Sequence, residues 1–332
     1  MSRRTLEILR RERMEMPVST LIDLFVSTKR MEGKAPKTLT WYHGMLSKYA
    51  QHLGPDPKLP DISLDSARGF ITGLQNRTTR FTDHPNRPDE EGGLSAQTVH
   101  GYVRALKVFG SWLVEEDFTA ISPFTRLKRP KLPQPMIEIL SDTEIKTLLD
   151  QINPRCFLGS RLMVIVLLLL DTGMRANELC TLKLEHVYMD DSKIKVWGKG
   201  SKERIIPFGA RTRKAIMRYA QTFRPEPQRD DCLILSVEGL PLTTNGLFQV
   251  IHRLGKRAGV PRLHPHLFRH TFAVKYLMNG GDVMSLRLML GHTDLSTVQI
   301  YMHLAESHIQ IQHARFSPVD RLGILPKRKC SA

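Results

Sequence analysis

Four side chains near the end of the sequence have types and an order that suit attack on a phosphodiester. They are His266, Arg269, His292 and Tyr301. A tyrosine hydroxyl can act as a nucleophile, a guanidinium can hold phosphate charge, and imidazoles can move protons. Such a set needs no metal ion. A tyrosine by itself is more typical of helix packing, so the prediction that Tyr301 is the nucleophile rests on the whole ordered set.

Arg175 is a fifth candidate, and it follows a long apolar helix and a turn. Gly173 permits a sharp turn, after which Arg175 would begin the next helix. Glu178 lies three residues further on, on the same helix face. One interpretation is an ordinary ion pair at a helix start. The other is an arginine that a carboxylate holds in place so that its planar fork is aimed at a phosphate.

A β-hairpin is predicted by alternating residues at 193–197 and 203–208, joined by a glycine-rich turn at 198–202. Lys199 on this turn carries a mobile ammonium that could protonate the leaving 5′ oxygen of a cleaved phosphodiester. The turn is not a Walker phosphate loop, because the spacing is wrong and no helix follows. A solvated charged turn is the alternative interpretation. Lys202 and Arg204 are predicted DNA contacts.

No metal ion or other cofactor is predicted. The cluster of His264, His266 and His270 has no carboxylate or cysteine at ligand spacing. The four cysteines also lack the paired spacing of metal sites or of a disulfide framework, and free, mostly buried thiols in a reducing compartment fit best.

Charge indicates a polyanionic partner. The 332 residues include 49 Lys and Arg against 33 Asp and Glu, a formal net charge of +16. Such an excess favours nucleic acid through phosphate neutralisation and counterion release, although a merely basic soluble protein is the plain alternative. The charged first residues predict no secretory signal, and the longest apolar run, 162–170, is half of a membrane span. We expect a cytoplasmic, nucleoid-associated protein without membrane contact.

The length predicts two domains. Residues 1–126 show helical periodicity around a polar loop at 79–93, and 141–332 show further helices around the hairpin. Residues 127–140 form a basic, proline-rich connector. Its cations Lys128, Arg129 and Lys131 are predicted to contact DNA, with an inert solvated linker as the alternative. The predicted fold is mainly α with a small antiparallel β-sheet.

These motifs together resemble the tyrosine recombinases of the phage integrase family, close in style to the bacterial Xer and integron-type enzymes. The resemblance rests on TGMRANEL with Arg175, GKGSKER with Lys199, HLFRH with His266 and Arg269, and LGHTDLSTVQIY with His292 and Tyr301. It covers the second domain strongly and the first more weakly.

The resemblance implies a two-domain, C-shaped DNA clamp, made of a helical core-binding domain and a recombinase catalytic domain. It implies that Tyr301 attacks a scissile phosphate and forms a 3′-phosphotyrosyl link. Arg175 and Arg269 would then hold the non-bridging oxygens. Lys199 would protonate the 5′ oxygen, His266 would assist proton transfer from the tyrosine, and His292 would donate a hydrogen bond to the phosphate.

The family also implies strand exchange between two specific DNA sites through a Holliday junction, as in integration, excision or resolution. Four protomers would act on two duplexes, and the segment after Tyr301 could dock on a neighbouring protomer or pack on its own. Two alternatives stay open at this point. One is a type IB topoisomerase, which relaxes DNA as a monomer, and the other is a DNA-binding regulator without catalysis.

Overall fold

The computed structural model describes residues 13–80, 90–132, 137–198, 202–291, 313 and 317–321 of the 332. The chain divides into two compact units, Met1–Pro135 and Met136–Ala332. The division falls inside the predicted connector, 127–140. None of the helices within the described residues is long and apolar enough to cross a lipid bilayer.

The first unit is helical. Its helices are α1 (Val18–Met31), α2 (Pro36–Leu53), α3 (Leu64–Gln75) and α4 (Ala96–Glu115). Between α3 and α4 the strands β1 (Thr79–Arg80) and β2 (Glu90–Glu91) pair antiparallel. The segment predicted as a loop therefore contains a short two-stranded ladder.

Helix α4 is the central helix of the first unit's core. Ser95 caps its start by accepting a 3.2 Å hydrogen bond from the Thr98 backbone N–H. Phe109 and Trp112 on α4 are both buried and pack edge-on against Phe25 of α1. Leu127 at the end of the unit is also buried in this core, so the chain is held up to the start of the connector.

The second unit is helical around one small sheet. Its elements in chain order are α5 (Asp142–Asp150), α6 (Phe157–Thr172), α7 (Ala176–Cys180), β3 (Val187–Tyr188), β4 (Lys193–Trp197), β5 (Glu203–Pro207), α8 (Ala210–Arg218), α9 (Thr244–Arg257), α10 (Pro265–Met278), α11 (Val283–Leu290) and α12 (Pro318–Arg321). The prediction of a mainly α fold with a small antiparallel sheet is confirmed.

The sheet has the order β3-β4-β5, with both pairs antiparallel. The hairpin β4-β5 was predicted, whereas β3 was not, because two residues are too few to show an alternating pattern. Ile194, Val196 and Ile206 point into the core, and the residues between them are more exposed. This period of two fixes which hairpin side chains face the helices.

Helix α6 is the apolar centre of the second unit. Nearly every residue from Leu162 to Leu169 is buried, which explains why its sequence has no polar face. The helix before it, α5, begins at a capping box, in which Ser141 and Glu144 each accept a hydrogen bond from the other's backbone N–H.

The connector is fastened where it enters the second unit. The backbone N–H of Leu140 donates a 2.9 Å hydrogen bond to the buried hydroxyl of Thr271 on α10. Arg262 forms ion pairs with Glu138 and Glu144, at 2.9 and 2.8 Å. The start of the second unit is thus attached directly to the helix that carries His266 and Arg269.

Candidate active site

The turn after α6 strongly favours glycine. Gly173 ends the helix in the left-handed region, with φ +58°. A Cβ built there would lie 2.4 Å from Phe272 of α10 and 2.9 Å from Leu290 of α11. The turn is therefore pressed against the two helices that carry or precede the other predicted site residues.

Arg175 is the N-terminal cap residue of α7, as the sequence predicted. Its backbone N–H donates to Glu178 Oε2 at 2.8 Å, and its Nη1 donates to Glu178 Oε1 at 2.9 Å. Its Nη2 lies 3.5 Å from the carbonyl oxygen of Gly291. The side chain remains 33% exposed. The guanidinium is thus fixed on one side and accessible on the other.

Glu178 has a buried carboxylate that binds two arginines. Its side chain is 3% exposed, and Arg204 holds it through two hydrogen bonds of 2.9 and 2.8 Å. Burial by itself raises the pKa of Glu178, but the hydrogen bonds from Arg204 and from the Arg175 backbone outweigh it, so the pKa lies below its ordinary value. The Arg175–Glu178 pair therefore caps a helix and also orients an accessible arginine. That this arginine binds a phosphate stays a prediction.

Arg269 is buried and joins two segments of the site. Its Nη1 donates a 2.6 Å hydrogen bond to the Gly173 carbonyl, and its Nη2 donates a 2.8 Å bond to the Leu290 carbonyl. Only 4% of the residue is exposed. A guanidinium carries enough donors to serve several acceptors in its plane. Arg269 thus holds the turn before Arg175 and the end of α11 in one arrangement.

His266 lies one turn before Arg269 on α10, on the exposed side of the helix. Partial burial of its ring lowers its pKa, and the positive charges of Arg269 and Arg175 lower it further. The lowered pKa favours the neutral imidazole, which is the form that can accept a proton. His264 caps the same helix, with Nδ1 accepting from the Leu267 N–H at 3.2 Å. Burial also lowers the pKa of His264.

Three of the six predicted catalytic residues are therefore brought together, namely Arg175, His266 and Arg269. The other three, Lys199, His292 and Tyr301, lie outside the described residues. The described segment 202–291 nevertheless ends beside the site, because the carbonyl oxygen of Gly291, the residue before His292 in the sequence, lies 3.5 Å from Arg175 Nη2. Gly291 ends α11 in the left-handed region, with φ +64°.

Arg204 differs from its expectation. It was predicted to contact DNA, but its side chain is only 11% exposed and binds Glu178. Its Nε also donates a 2.7 Å hydrogen bond to the Met289 carbonyl at the end of α11. The signal for this was in the sequence, because Arg204 lies two residues before Ile206 and shares its buried face.

The other predicted DNA contacts are exposed. Lys202 lies at the start of the hairpin's return, where its carbonyl accepts a 2.8 Å bond from the Gly198 N–H. Lys128, Arg129 and Lys131 are exposed in the connector. In the part of the chain that the structure describes, no group of three His, Cys, Asp or Glu side chains could hold a metal ion.

Comparison with known proteins shows which family this chain belongs to. The model of the phage integrase family matches residues 138–308, which is more than half of the chain. The chain belongs to that family. The match includes every residue of the predicted catalytic set.

Curated relatives of this integrase-family chain are tyrosine recombinases. Tyrosine recombinase XerC of Staphylococcus carnosus is 33% identical over 276 residues, which is 82% of this chain and 88% of the relative. Tyrosine recombinase XerD of Staphylococcus aureus is 33% identical over 230 residues, 68% of this chain and 78% of the relative. The chain is accordingly a tyrosine-type site-specific recombinase.

Solved structures of the family share the fold. The Tn1549 transposon integrase in complex with transposon right end DNA matches with a TM-score of 0.69 at 18% identity, over 91% of this chain and all of that chain. The XerH site-specific recombinase bound to palindromic difH substrate matches with a TM-score of 0.68 at 21% identity, over 91% of this chain and 85% of that one.

Proposed function

We propose that this recombinase cleaves and rejoins duplex DNA through a 3′-phosphotyrosyl intermediate on Tyr301, and exchanges strands between two specific sites through a Holliday junction. The observation that carries the proposal is the convergence of Arg175, His266 and Arg269 beside Gly291, the residue before His292. Two guanidiniums and a neutral imidazole at one place suit a phosphate under attack by a tyrosine.

The cleavage step is a transesterification. The Tyr301 oxygen forms a bond to phosphorus while the bond from phosphorus to the 5′ oxygen breaks. His266 accepts the tyrosine proton, and Lys199 gives a proton to the departing 5′ oxygen. Arg175, Arg269 and His292 stabilise charge on the non-bridging oxygens. The new ester keeps the energy of the old one, so the 5′ hydroxyl of a partner strand can reverse the step without ATP.

In this proposal, exposed residues of both units bind DNA. The cations Lys128, Arg129 and Lys131 in the connector and Lys202 on the hairpin are exposed. Their exposure supports the proposal that they neutralise backbone phosphates. The assignment of 1–126 as core-binding domain, 127–140 as linker and 141–332 as catalytic domain belongs to this proposal. Such a protein acts on the nucleoid in the cytoplasm.

Assembly follows from the chemistry of exchange. Two duplexes with two cleavable strands each require four active protomers, so a homotetramer on DNA is proposed. Exchange of the C-terminal tail between protomers would couple their active sites. That tail lies outside the described residues, except for His313 and 317–321.

The test is covalent trapping on nicked DNA. A library of nicked duplexes with randomised flanks is incubated with the protein, and DNA that stays attached under denaturing conditions is sequenced to define a substrate. Wild type is expected to form the adduct, and Tyr301→Phe is expected to form none. An adduct that persists in Tyr301→Phe contradicts the proposal.

A second assay separates the remaining alternatives. Two copies of the selected site on one plasmid should give deletion or inversion products. Relaxation without such products indicates a type IB topoisomerase. DNA binding without any adduct indicates a regulator.

A further inference from the structure

We propose that Arg204 is a positioning residue for strand cleavage, which acts through Glu178 on Arg175 and through Met289 on the segment that leads to His292. This inference rests on the proposed function, because it concerns the same site. It replaces the expectation that Arg204 contacts DNA.

The geometry at Glu178 couples Arg204 to Arg175. Arg204 approaches the carboxylate with two parallel hydrogen bonds, 2.9 Å from Nη1 to Oε1 and 2.8 Å from Nη2 to Oε2. Oxygen Oε1 also accepts from Arg175 Nη1 at 2.9 Å, and Oε2 accepts from the Arg175 backbone. A fork-to-fork pair fixes both partners in one plane, which a lysine cannot do. The orientation of Arg175 therefore depends on that of Arg204.

Arg204 also sets the net charge of the group around Glu178. Arg175 paired with Glu178 alone would be a neutral unit, because one positive charge would meet one negative charge. With Arg204 the group carries two positive charges and one negative, a net charge of +1. Since Arg204 is the more buried of the two arginines, the surplus is accessible at Arg175, which is 33% exposed. Arg204 thus lets Arg175 be held by a carboxylate and still attract a phosphate.

Arg204 also contacts the end of α11. The Nε of Arg204 donates to the Met289 carbonyl at 2.7 Å. A Cβ at Gly291 would lie 3.0 Å from Nη1 and 3.1 Å from Cζ of Arg204. The chain therefore passes directly over the guanidinium at the residue before His292. A side chain on β5, the strand that follows Lys199 in the sequence, therefore contacts the helix end that precedes His292.

The test measures chemistry separately from binding and folding. The single-turnover cleavage rate is measured on the nicked duplex selected by covalent capture, at saturating protein. Arg204→Lys keeps the charge and loses the fork. It is expected to cleave about 100-fold more slowly, as for a displaced catalytic group, with DNA affinity changed by less than about threefold. Arg204→Gln, which keeps donors to Glu178 without the charge, is the second variant.

The matched control is Arg224→Lys. Arg224 is also a nearly buried arginine of the second unit, 9% exposed, and it binds the carboxylate of Asp231 and the carbonyl of Cys232. This variant loses similar hydrogen bonds away from Glu178. It is expected to cleave within about threefold of wild type. Melting temperatures of all variants define the temperature range in which every protein is folded, and cleavage rates are compared within that range.

A methylphosphonate at the scissile position separates positioning from general destabilisation. It replaces a charged non-bridging oxygen by a neutral methyl group, so the charge that Arg175 would bind is absent. The penalty of Arg204→Lys should be at least about tenfold smaller on this duplex, because the lost orientation no longer matters. A merely structural role would slow both duplexes equally.

The outcomes separate the two proposals. A wild-type chain that forms no adduct on any duplex overturns the proposed function and this inference together. An active wild type with equally active Arg204→Lys and Arg204→Gln overturns the inference alone. Equal penalties on the phosphodiester and the methylphosphonate also overturn it.

Discussion

Arg269 on α10 donates a 2.6 Å hydrogen bond to the carbonyl of Gly173, the residue that turns the chain towards Arg175. The same guanidinium binds the carbonyl of Leu290. Arg269, which is predicted to hold a phosphate, therefore also holds two backbone segments of the site, the turn at Gly173 and the end of α11. The site is preorganised by the groups that would act in it.

Gly173→Ala should destabilise the second unit strongly. The alanine would have to keep the left-handed φ of Gly173, and its Cβ would lie only 2.4 Å from the ring of Phe272. We expect a loss of about 2–4 kcal/mol of unfolding free energy, from backbone strain and overpacking together. Urea titration measures this. The control is Gly259→Ala, where φ is +71° and nothing lies within 4 Å of the Cβ. This variant has the backbone strain without the steric overlap, and it should lose about 1 kcal/mol of unfolding free energy. Equal losses would show that the contact with Phe272 is unimportant.

Thr271→Val should loosen the start of the second unit. The Thr271 hydroxyl is buried, accepts from the Leu140 N–H and donates to the Leu267 carbonyl. Valine keeps the shape but leaves a buried N–H unpaired, at a cost of about 1–3 kcal/mol. Thr147→Val is the control, because its hydroxyl also bonds the carbonyl four residues back but is exposed. A difference of less than about 0.5 kcal/mol between the two variants, within ordinary surface effects, would contradict this role.

Acid should weaken the attachment of α5 to Arg262. Hydrogen bonds from Arg262 and from the Ser141 backbone hold the pKa of Glu144 at about 2, below its ordinary 4.5. A depressed pKa in the folded state stabilises above the unfolded value, and this contribution is lost as pH falls from 4.5 towards 2. The stability advantage of wild type over Glu144→Gln should therefore shrink across that window. In an Arg262→Gln background the same comparison should depend less on pH. A constant advantage down to pH 2 would exclude the ion pair as its source.

The rate of DNA cleavage should fall on the acid side with the titration of His266. Its pKa is lowered below 6.5 by burial and by Arg269 and Arg175, so the neutral form that accepts the Tyr301 proton is present at neutral pH. As pH falls through that lowered pKa the base is lost. Single-turnover rates across pH measure the midpoint, which we expect below 6.5. Replacement by glutamine should lower the rate and remove this limb; an unchanged limb in His266→Gln would assign it to another group.

The sequence predicted the site better where local pattern decides position. Arg175 was placed at a helix start because Gly173 and Glu178 bracket it, and His266 and Arg269 were placed on one helix by their spacing. The inward turn of Arg204 was missed, because a cation at the tip of a basic hairpin was interpreted by its charge and not by its strand face. Its partner Glu178 lies 26 positions away in the sequence, a contact that only tertiary packing decides.

The same distinction holds for the fold. Helices α4, α5 and α11 each begin after a residue whose side chain caps the helix, which is a signal within the local sequence. The pairs β1-β2 and β3-β4 join strands of two residues at one side or both, so their pairing depends on neighbours and not on propensity. The attachment of Leu140 to Thr271 spans 131 positions and left no local signal.

The proposed cleavage joins Tyr301 covalently to a DNA 3′ phosphate. Its most direct test is mass spectrometry of the trapped adduct after digestion of both protein and DNA. We expect one modified peptide, with the remaining nucleotide joined through its 3′ phosphate to Tyr301. A nucleotide on any other residue, or one joined through a 5′ phosphate, would contradict it.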